Sequence, residues 1–366
     1  MHSTSATRRV AVTGGGTAGH ILTALEILAA YRREFAGEGI FIGSKAGLES
    51  RLVSTSGERM ELLDALPWAR QSWTGRVRAI GSLISPVLAA RRILRRERTE
   101  IVIGTGGYAS VAPCLAAWTL GLTVVIHEAN AGPGLANEIL AWIADLICVD
   151  SPETGQAFGS GDVVVTGTPC LPVPPSQGIP QPPYRFIVLG GSEGSPWLNE
   201  QAPPLFAELR RRSVDFTVHH LTGMESPDAT RKAYEVLGVP ARVEGWINDM
   251  TPVYTGATFA IACPGARTLA ELESAGIPTL LTPLPGVAHG HHEANARALS
   301  AHANGRSGAR FVSQDEWNTV ELAAWLGSLL ASPDTLREMG EKMKSFARAG
   351  GAEAIVRAGE DLVKNR

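Results

Sequence analysis

Apolar runs of strand length alternate with stretches of helical period along the first half of the chain. The runs are RRVAVTG (residues 8–14), GIFIGS (39–44), TEIVIGTGG (99–107), TVVIHE (123–128), LICVDS (146–151) and DVVVTG (162–167), each followed by a polar or glycine-rich turn. Such alternation predicts parallel strands joined by crossover helices. Between Pro169 and Tyr184 the pattern lapses. Pro172, Pro174, Pro175, Pro180, Pro182 and Pro183 crowd a segment that suits neither a helix nor a central strand. The alternation then restarts with YRFIVLGGSEGS (184–195), DFTVHHLTG (215–223), ARVEGWI (241–247), ATFAIACPG (257–265) and IPTLLTPL (277–284).

The two halves echo each other. RRVAVTGGG precedes a helix expected to begin near His20, and RFIVLGGSEG precedes one expected from about Leu198. The expected architecture is α/β: two doubly wound parallel-sheet domains facing an interdomain cleft. Residues 1–168 form the first, 169–184 the proline-rich linker and 185–345 the second. A C-terminal helix over 346–366 is expected to pack back on the first domain. Ligands of such sheets sit beyond the carboxyl ends of the strands, where the glycine turns lie.

Composition narrows the classes. The 366 residues suit two domains, and 44% hydrophobic with 19% charged residues fits neither a disordered chain nor a coiled coil. With 33 basic against 36 acidic residues, the net charge of −3 provides no global field for nucleic acid. Cys114, Cys148, Cys170 and Cys263 are scattered, with neither CxxC nor a disulfide framework, which points to a reducing cytoplasm. MHSTSATRR runs straight into VAVTGGG without the apolar core of a signal peptide. The uncharged stretch 109–126 is divided by Pro113 and Gly121 and reads as helix, turn and strand rather than a membrane span.

Candidate chemistry gathers at the turns. Gly14, Gly16 and Gly19 spell GxGxxG between a strand and a helix, where bare backbone N–H groups can approach an anion. A dinucleotide site would want an acid at the end of the second strand; Ser44, Lys45 and Ala46 stand there, which disfavours NAD but leaves NADP open through Lys45 and Arg51. The plain alternative is a tight strand-to-helix turn. His20 starts the helix, where the dipole favours a neutral ring usable as a base; it can equally cap or pack. Residues 104–108 and 127–130 end two further strands, with Tyr108, Glu128 and Asn130 either facing a ligand or bracing their own loops. In the second half, the Gly190–Gly191–Ser192 turn could hold phosphate oxygens. Thr268 and Glu271 have the spacing of a helix capping box, while Glu271 could instead accept hydrogen bonds from a ribose.

Taken together, these segments resemble the MurG family, which adds N-acetylglucosamine to the lipid-linked muramyl-pentapeptide of bacterial cell-wall synthesis. The resemblance spans almost the whole chain. It is carried by GGTAGH (15–20), GLESRLV (47–53), GTGGYAS (104–110), HEAN (127–130), GGSEGS (190–195) with Asn199, WINDM (246–250), GARTLAE (265–271) and HHEANA (291–296). It implies two Rossmann-like domains of the GT-B kind, UDP-N-acetylglucosamine as donor, inversion to a β-linkage, and neither cofactor nor metal. Donor contacts would come from Thr17, Ala18, Gly19 and Asn130 in the first half. In the second they would come from Ser192, Ile247, Ala266, Arg267, Thr268, Glu271 and His292. Gly106, Gly107 and Tyr108 would face the acceptor. His20 is the base candidate, and Glu128 the second choice.

Departures from the family pattern concern the donor. Ala18 replaces a glycine, Leu171 an arginine and His292 a glutamine, while PGA (264–266) shortens an expected RSGA. His289, His291 and His292 could alternatively ligate a metal, but they lack a clear carboxylate partner. A polyprenyl-linked acceptor implies peripheral attachment at the cytoplasmic face of the cell membrane, with other wall-synthesis proteins as partners. Residues 76–96 suit an anionic lipid surface: Ile80, Leu83, Ile84, Val87, Leu88 and Leu94 recur at helical spacing among Arg76, Arg78, Arg91, Arg92, Arg95 and Arg96. An ordinary core-facing helix is the alternative, and Pro86 predicts a break in it. A paralogue acting on another lipid-linked or antibiotic-like acceptor, a non-catalytic sugar-nucleotide-binding partner of wall enzymes, and an NADP oxidoreductase are the competing functions.

Overall fold

The computed structural model describes residues 9–65, 83–159, 161–170, 172–174, 180–223, 227–285, 290–301 and 308–364. The chain divides into two compact units, residues 1–170 with 350–366, and residues 171–349. The first holds β1 (Arg9–Thr13), β2 (Glu38–Ser44), β3 (Met60–Leu63), β4 (Ile101–Gly104), β5 (Thr123–Glu128), β6 (Leu146–Val149) and β7 (Val163–Val165). Their order across the sheet is β3-β2-β1-β4-β5-β6-β7, with each neighbouring pair parallel. β4, β5 and β6 are buried throughout because helices cover both faces, which is why their sequences run apolar without alternation.

The second unit repeats the plan. β8 (Tyr184–Leu189), β9 (Phe216–Leu221), β10 (Ala241–Glu244), β11 (Phe259–Ala262), β12 (Thr279–Leu281) and β13 (Ala309–Phe311) lie in the order β10-β9-β8-β11-β12-β13, again all parallel. Each sheet therefore reverses its winding once, between β1 and β4 in one unit and between β8 and β11 in the other. Both glycine turns leave the strands at those reversal points, where doubly wound sheets open a crevice.

Several boundaries differ from the sequence reading. The helices after the two glycine turns begin at Ala18 and Pro196, each about one half-turn earlier than expected. The division between units falls after Cys170, inside the proline-rich segment, and Tyr184 already belongs to β8. Helix Pro333–Phe346 stays with the second unit, so that only helix Gly351–Lys364 returns to the first. There Ile355 and Val356 are fully buried, Tyr31 donates to Glu360 at 2.9 Å, and Arg33–Glu353 and Arg357–Glu34 pairs flank the contact with helix Ala18–Phe35.

The stretch 109–126 resolves into helix Tyr108–Thr119, a turn and β5. Among the described residues, no helix is long and apolar enough to cross a membrane. Helix Ile84–Arg96 corrects two expectations. Pro86 does not break it, because it stands in the first turn, where a missing N–H costs no intrahelical bond. Leu94 is buried in the core with Ala90 and Ile93, leaving Ile84 and Leu88 outward. Arg76, Arg78 and Ile80 lie outside the described residues.

Candidate active site

The first unit's turn centres on His20. Thr17 is the helix N-cap in extended conformation, and its hydroxyl lies 3.3 Å from His20 Nδ1 instead of capping the helix. His20 Nδ1 also lies 3.0 Å from the Gly15 carbonyl oxygen. A carbonyl can only accept, so that bond fixes the proton on Nδ1 and leaves the Nε2 lone pair free. Nε2 is turned toward Gly106, 3.3 Å from where a side chain would begin there. The next residue, Gly107, has φ +76°, and a Cβ on it would stand 1.9 Å from the Gly15 oxygen, so only glycine lets the two turns meet. Thr105 ties the turns together by donating to the His20 carbonyl at 2.8 Å. Tyr108 packs over Gly16, and burial pushes its phenol pKa up. Ala18 is buried and Gly19 half-buried beside them.

Glu128 is placed differently from His20. Its carboxylate is buried and accepts four hydrogen bonds: from the Asn130 backbone at 2.9 Å, Asn130 Nδ2 at 2.8 Å, the Gly134 backbone at 2.9 Å and Asn137 Nδ2 at 2.9 Å. Four acceptor sites are about all a carboxylate has. Glu128 thus braces the 128–137 segment, and Asn130 is one of its partners. Neighbouring His127 is fully buried, donates from Nε2 to Gly167 at 3.1 Å, and has its pKa lowered to about 4 by burial.

The sequence reading passed over Glu49 as one letter of a motif. Its side chain is wholly buried against the glycine turn, with the Ser44 amide 3.4 Å from Oε1 and, among the described residues, no hydrogen-bond partner on Oε2. Burial raises its pKa, against the pull of nearby amides and of His20. An acid in the first turn of helix Glu49–Ser56 ordinarily means a solvated residue favoured by the dipole. The only hint of burial was its place in GLESRLV. Lys45, which kept the NADP reading open, is paired with Asp64 at 2.9 Å.

In the second unit, the turn after β8 leads to Ser195, whose Oγ caps helix Pro196–Arg211 by accepting from the Leu198 amide at 3.2 Å. Ser192 is half-buried at the turn. Gly194, φ +83°, lies so close to β9 that a Cβ would be 2.3 Å from the Thr222 oxygen. Asn199 steadies this approach by donating to the same oxygen at 3.2 Å. Behind it His220 Nε2 donates to Asn199 Oδ1 and Nδ1 accepts from Tyr234, both at 3.0 Å; burial lowers the His220 pKa to about 3.

After β11, Gly265 caps helix Ala266–Ala275 without a side-chain hydrogen bond. Thr268 is therefore the third helical residue, and the capping-box alternative fails by register. Glu271 instead takes Tyr254 Oη at 2.7 Å and Arg267 Nε at 2.8 Å, at a half-buried helix start shared with Ala266 and Thr268. Ile247 packs against the same unit's core from the loop after β10. His292, near the start of helix His291–Ala301, accepts the Leu284 amide on Nδ1 at 3.3 Å, which puts its proton on Nε2; burial lowers its pKa to about 4. It therefore offers one donor where glutamine would offer donor and acceptor. Leu171 and His289 lie outside the described residues.

Comparison with known proteins covers both units. Residues 10–149 match the glycosyltransferase family 28 N-terminal domain, and residues 186–355 its C-terminal domain. A UDP-N-acetylglucosamine--N-acetylmuramyl-(pentapeptide) pyrophosphoryl-undecaprenol N-acetylglucosamine transferase of Magnetococcus marinus is 31% identical, covering 98% of both chains. The protein of that name in Sorangium cellulosum is 33% identical over 97% of this chain and 88% of its own. Among solved structures, that of MurG from Acinetobacter baumannii superposes with a TM-score of 0.76 at 26% identity, covering 98% of this chain and all of the other (100%).

Proposed function

The chain belongs to the MurG family within glycosyltransferase family 28, and on that premise we propose that it transfers N-acetylglucosamine from UDP-N-acetylglucosamine to N-acetylmuramyl-pentapeptide on pyrophosphoryl-undecaprenol. The observation that carries the mechanism is the His20 Nδ1 bond to the Gly15 carbonyl. With Nδ1 holding its proton, Nε2 takes the proton of the attacking muramyl hydroxyl. The hydroxyl oxygen bonds to the anomeric carbon from the face opposite the diphosphate, the bond to the diphosphate breaks, and UDP leaves with inversion to a β-linkage. General-base help of this kind is worth about 10²–10⁴-fold. Negative charge on the departing UDP is met by main-chain N–H groups of the glycine turns and helix starts, in which Ser192 and the 266–268 segment take part. Glu271, held by Tyr254, receives the ribose. Glu128 supports the loop that carries Asn130.

The acceptor is lipid-linked, and helix Ile84–Arg96 is the part suited to a peripheral stay at the cytoplasmic face of the membrane. Ile84 is 65% exposed and Leu88 48%, while on the neighbouring segments Trp118 is 54% and Trp142 89% exposed. Arg91, Arg92, Arg95 and Arg96 share the helix, so apolar side chains enter the headgroup region as arginines meet anionic lipid.

Incubation with labelled UDP-N-acetylglucosamine and the muramyl lipid tests the reading: a lipid-linked disaccharide-pentapeptide is the expected product. Turnover confined to a different lipid-linked or antibiotic-like acceptor replaces it with a paralogue's activity, and donor binding without turnover on any acceptor marks a non-catalytic partner of wall enzymes.

A further inference from the structure

We infer that Tyr254 is a positioning residue for the sugar of the nucleotide, and that the carboxylate it holds makes the protein select a ribonucleotide over its 2′-deoxy counterpart; this rests on the reading of Glu271 as the ribose acceptor. Tyr254 closes the four-residue helix Thr251–Tyr254, which follows the loop carrying Ile247. Its ring is almost fully buried, in the core that also takes Leu269 and Leu272 from helix Ala266–Ala275. From there its hydroxyl donates to Glu271 Oε2 at 2.7 Å. A phenylalanine ring would fill the same space, so the core by itself gives the hydroxyl no role.

Arg267 holds the other oxygen. Its Nε lies 2.8 Å from Glu271 Oε1, one helical turn along, and both side chains are largely buried. A cation in the first turn of a helix stands at the positive end of the dipole, which disfavours it. The pairing with Glu271 offsets that cost.

The two bonds pin the carboxylate at both ends. A carboxylate has about four acceptor positions. Among the described residues, Tyr254 takes one on Oε2 and Arg267 one on Oε1, which leaves one open on each oxygen. A ribose presents two neighbouring hydroxyls, 2′ and 3′, and a pinned carboxylate with one open position on each oxygen matches that pair. A site built to bond a hydroxyl rejects the analogue that lacks it, because its own acceptor is then left unpaired. Without the Tyr254 hydroxyl the carboxylate is held at one oxygen only. It can pivot about the Arg267 bond, and the match to two hydroxyls is lost.

The test titrates UDP and 2′-deoxy-UDP against the full chain by calorimetry, which requires no acceptor, and measures donor KM and kcat alongside. The wild type should bind UDP about tenfold more tightly than 2′-deoxy-UDP. Tyr254→Phe should weaken UDP about 3- to 10-fold and 2′-deoxy-UDP less, so that the preference shrinks toward that of Glu271→Gln. KM for UDP-N-acetylglucosamine should rise by the same factor with kcat kept, as when binding common to ground and transition states is removed. A Tyr254→Phe protein that keeps the full preference, while Glu271→Gln loses it, overturns the inference and leaves the ribose reading standing. Equal weakening of both nucleotides together with a lower melting temperature overturns it as well, since Tyr254 then supports only the fold. A wild type without preference removes the ribose from Glu271, and the inference falls with that reading.

Discussion

His20 and Glu128 are the two residues that sequence alone offered as bases, and their surroundings separate them. Replacing His20 with alanine should lower kcat by about 10²–10⁴-fold with donor affinity retained, measured by steady-state kinetics alongside UDP-N-acetylglucosamine titration. Glu128→Gln turns an –NH₂ toward N–H donors and should cost about 1–3 kcal/mol of stability, read as a lower urea midpoint. A Glu128→Gln protein of unchanged stability that loses only the basic step would exchange the roles. Glu49 predicts a pH effect of definite sign. Its folded pKa is raised, so the folded state binds its proton more tightly, and stability declines as pH rises from the ordinary carboxylate value through the raised one. Glu49→Gln should therefore gain on the wild type as pH climbs through that window. Residue type and spacing made His20 legible, since an imidazole beside a glycine turn is conspicuous. They could not reveal its tautomer, which depends on the direction of the Gly15 carbonyl, nor the burial of Glu49, since nothing local distinguishes a first-turn acid that faces inward.

At the scale of elements, the same limit separates what periodicity can say from what packing decides. Strands β1, β4, β5, β8 and β11 were legible because apolar runs of that length have few other uses between glycine turns. Helix Ile84–Arg96 was legible as amphipathic, yet its apolar positions divide: Ala90, Ile93 and Leu94 go to the core, and Ile84 and Leu88 do not. Only the neighbouring helix Tyr108–Thr119 decides which are which. Arg91 bonds across to the Thr119 carbonyl at 3.0 Å and fixes the rotation. The outward pair gives the membrane prediction. Full burial of such a side chain is worth about 1.5–3 kcal/mol, so Ile84→Glu with Leu88→Glu should weaken sedimentation with anionic vesicles by about tenfold or more. Turnover on a water-soluble acceptor analogue should not change. Equal vesicle binding by the double variant would move the lipid contact elsewhere.

For the whole molecule, the repeated plan was visible in the echo between RRVAVTGGG and RFIVLGGSEG; a C-terminal helix was likewise expected back on the first domain, but from residue 346, whereas the chain divides at 350 because helix Pro333–Phe346 runs on nearly to the end of the second unit. The two units also share a response to acid. His127 in the first and His220 in the second are both fully buried, with pKa values lowered by burial to about 4 and about 3. Unfolded, each would titrate near the ordinary histidine value of about 6.5. Between those limits the unfolded chain binds protons that the folded chain refuses, so stability is complete above about pH 6.5 and is lost as pH falls toward the folded values, by a few kcal/mol for each histidine. Urea unfolding from pH 7 to pH 4 should show this decline in both units. His220→Gln can keep an oxygen for Tyr234 Oη and an amide for Asn199 Oδ1 without a titrating group, so its second unit should start less stable than the wild type but lose less between those pH values. A wild-type chain equally stable at pH 7 and pH 4 would mean that these imidazoles reach water before global unfolding, and that the Asn199 support of the Gly194 turn opens with them.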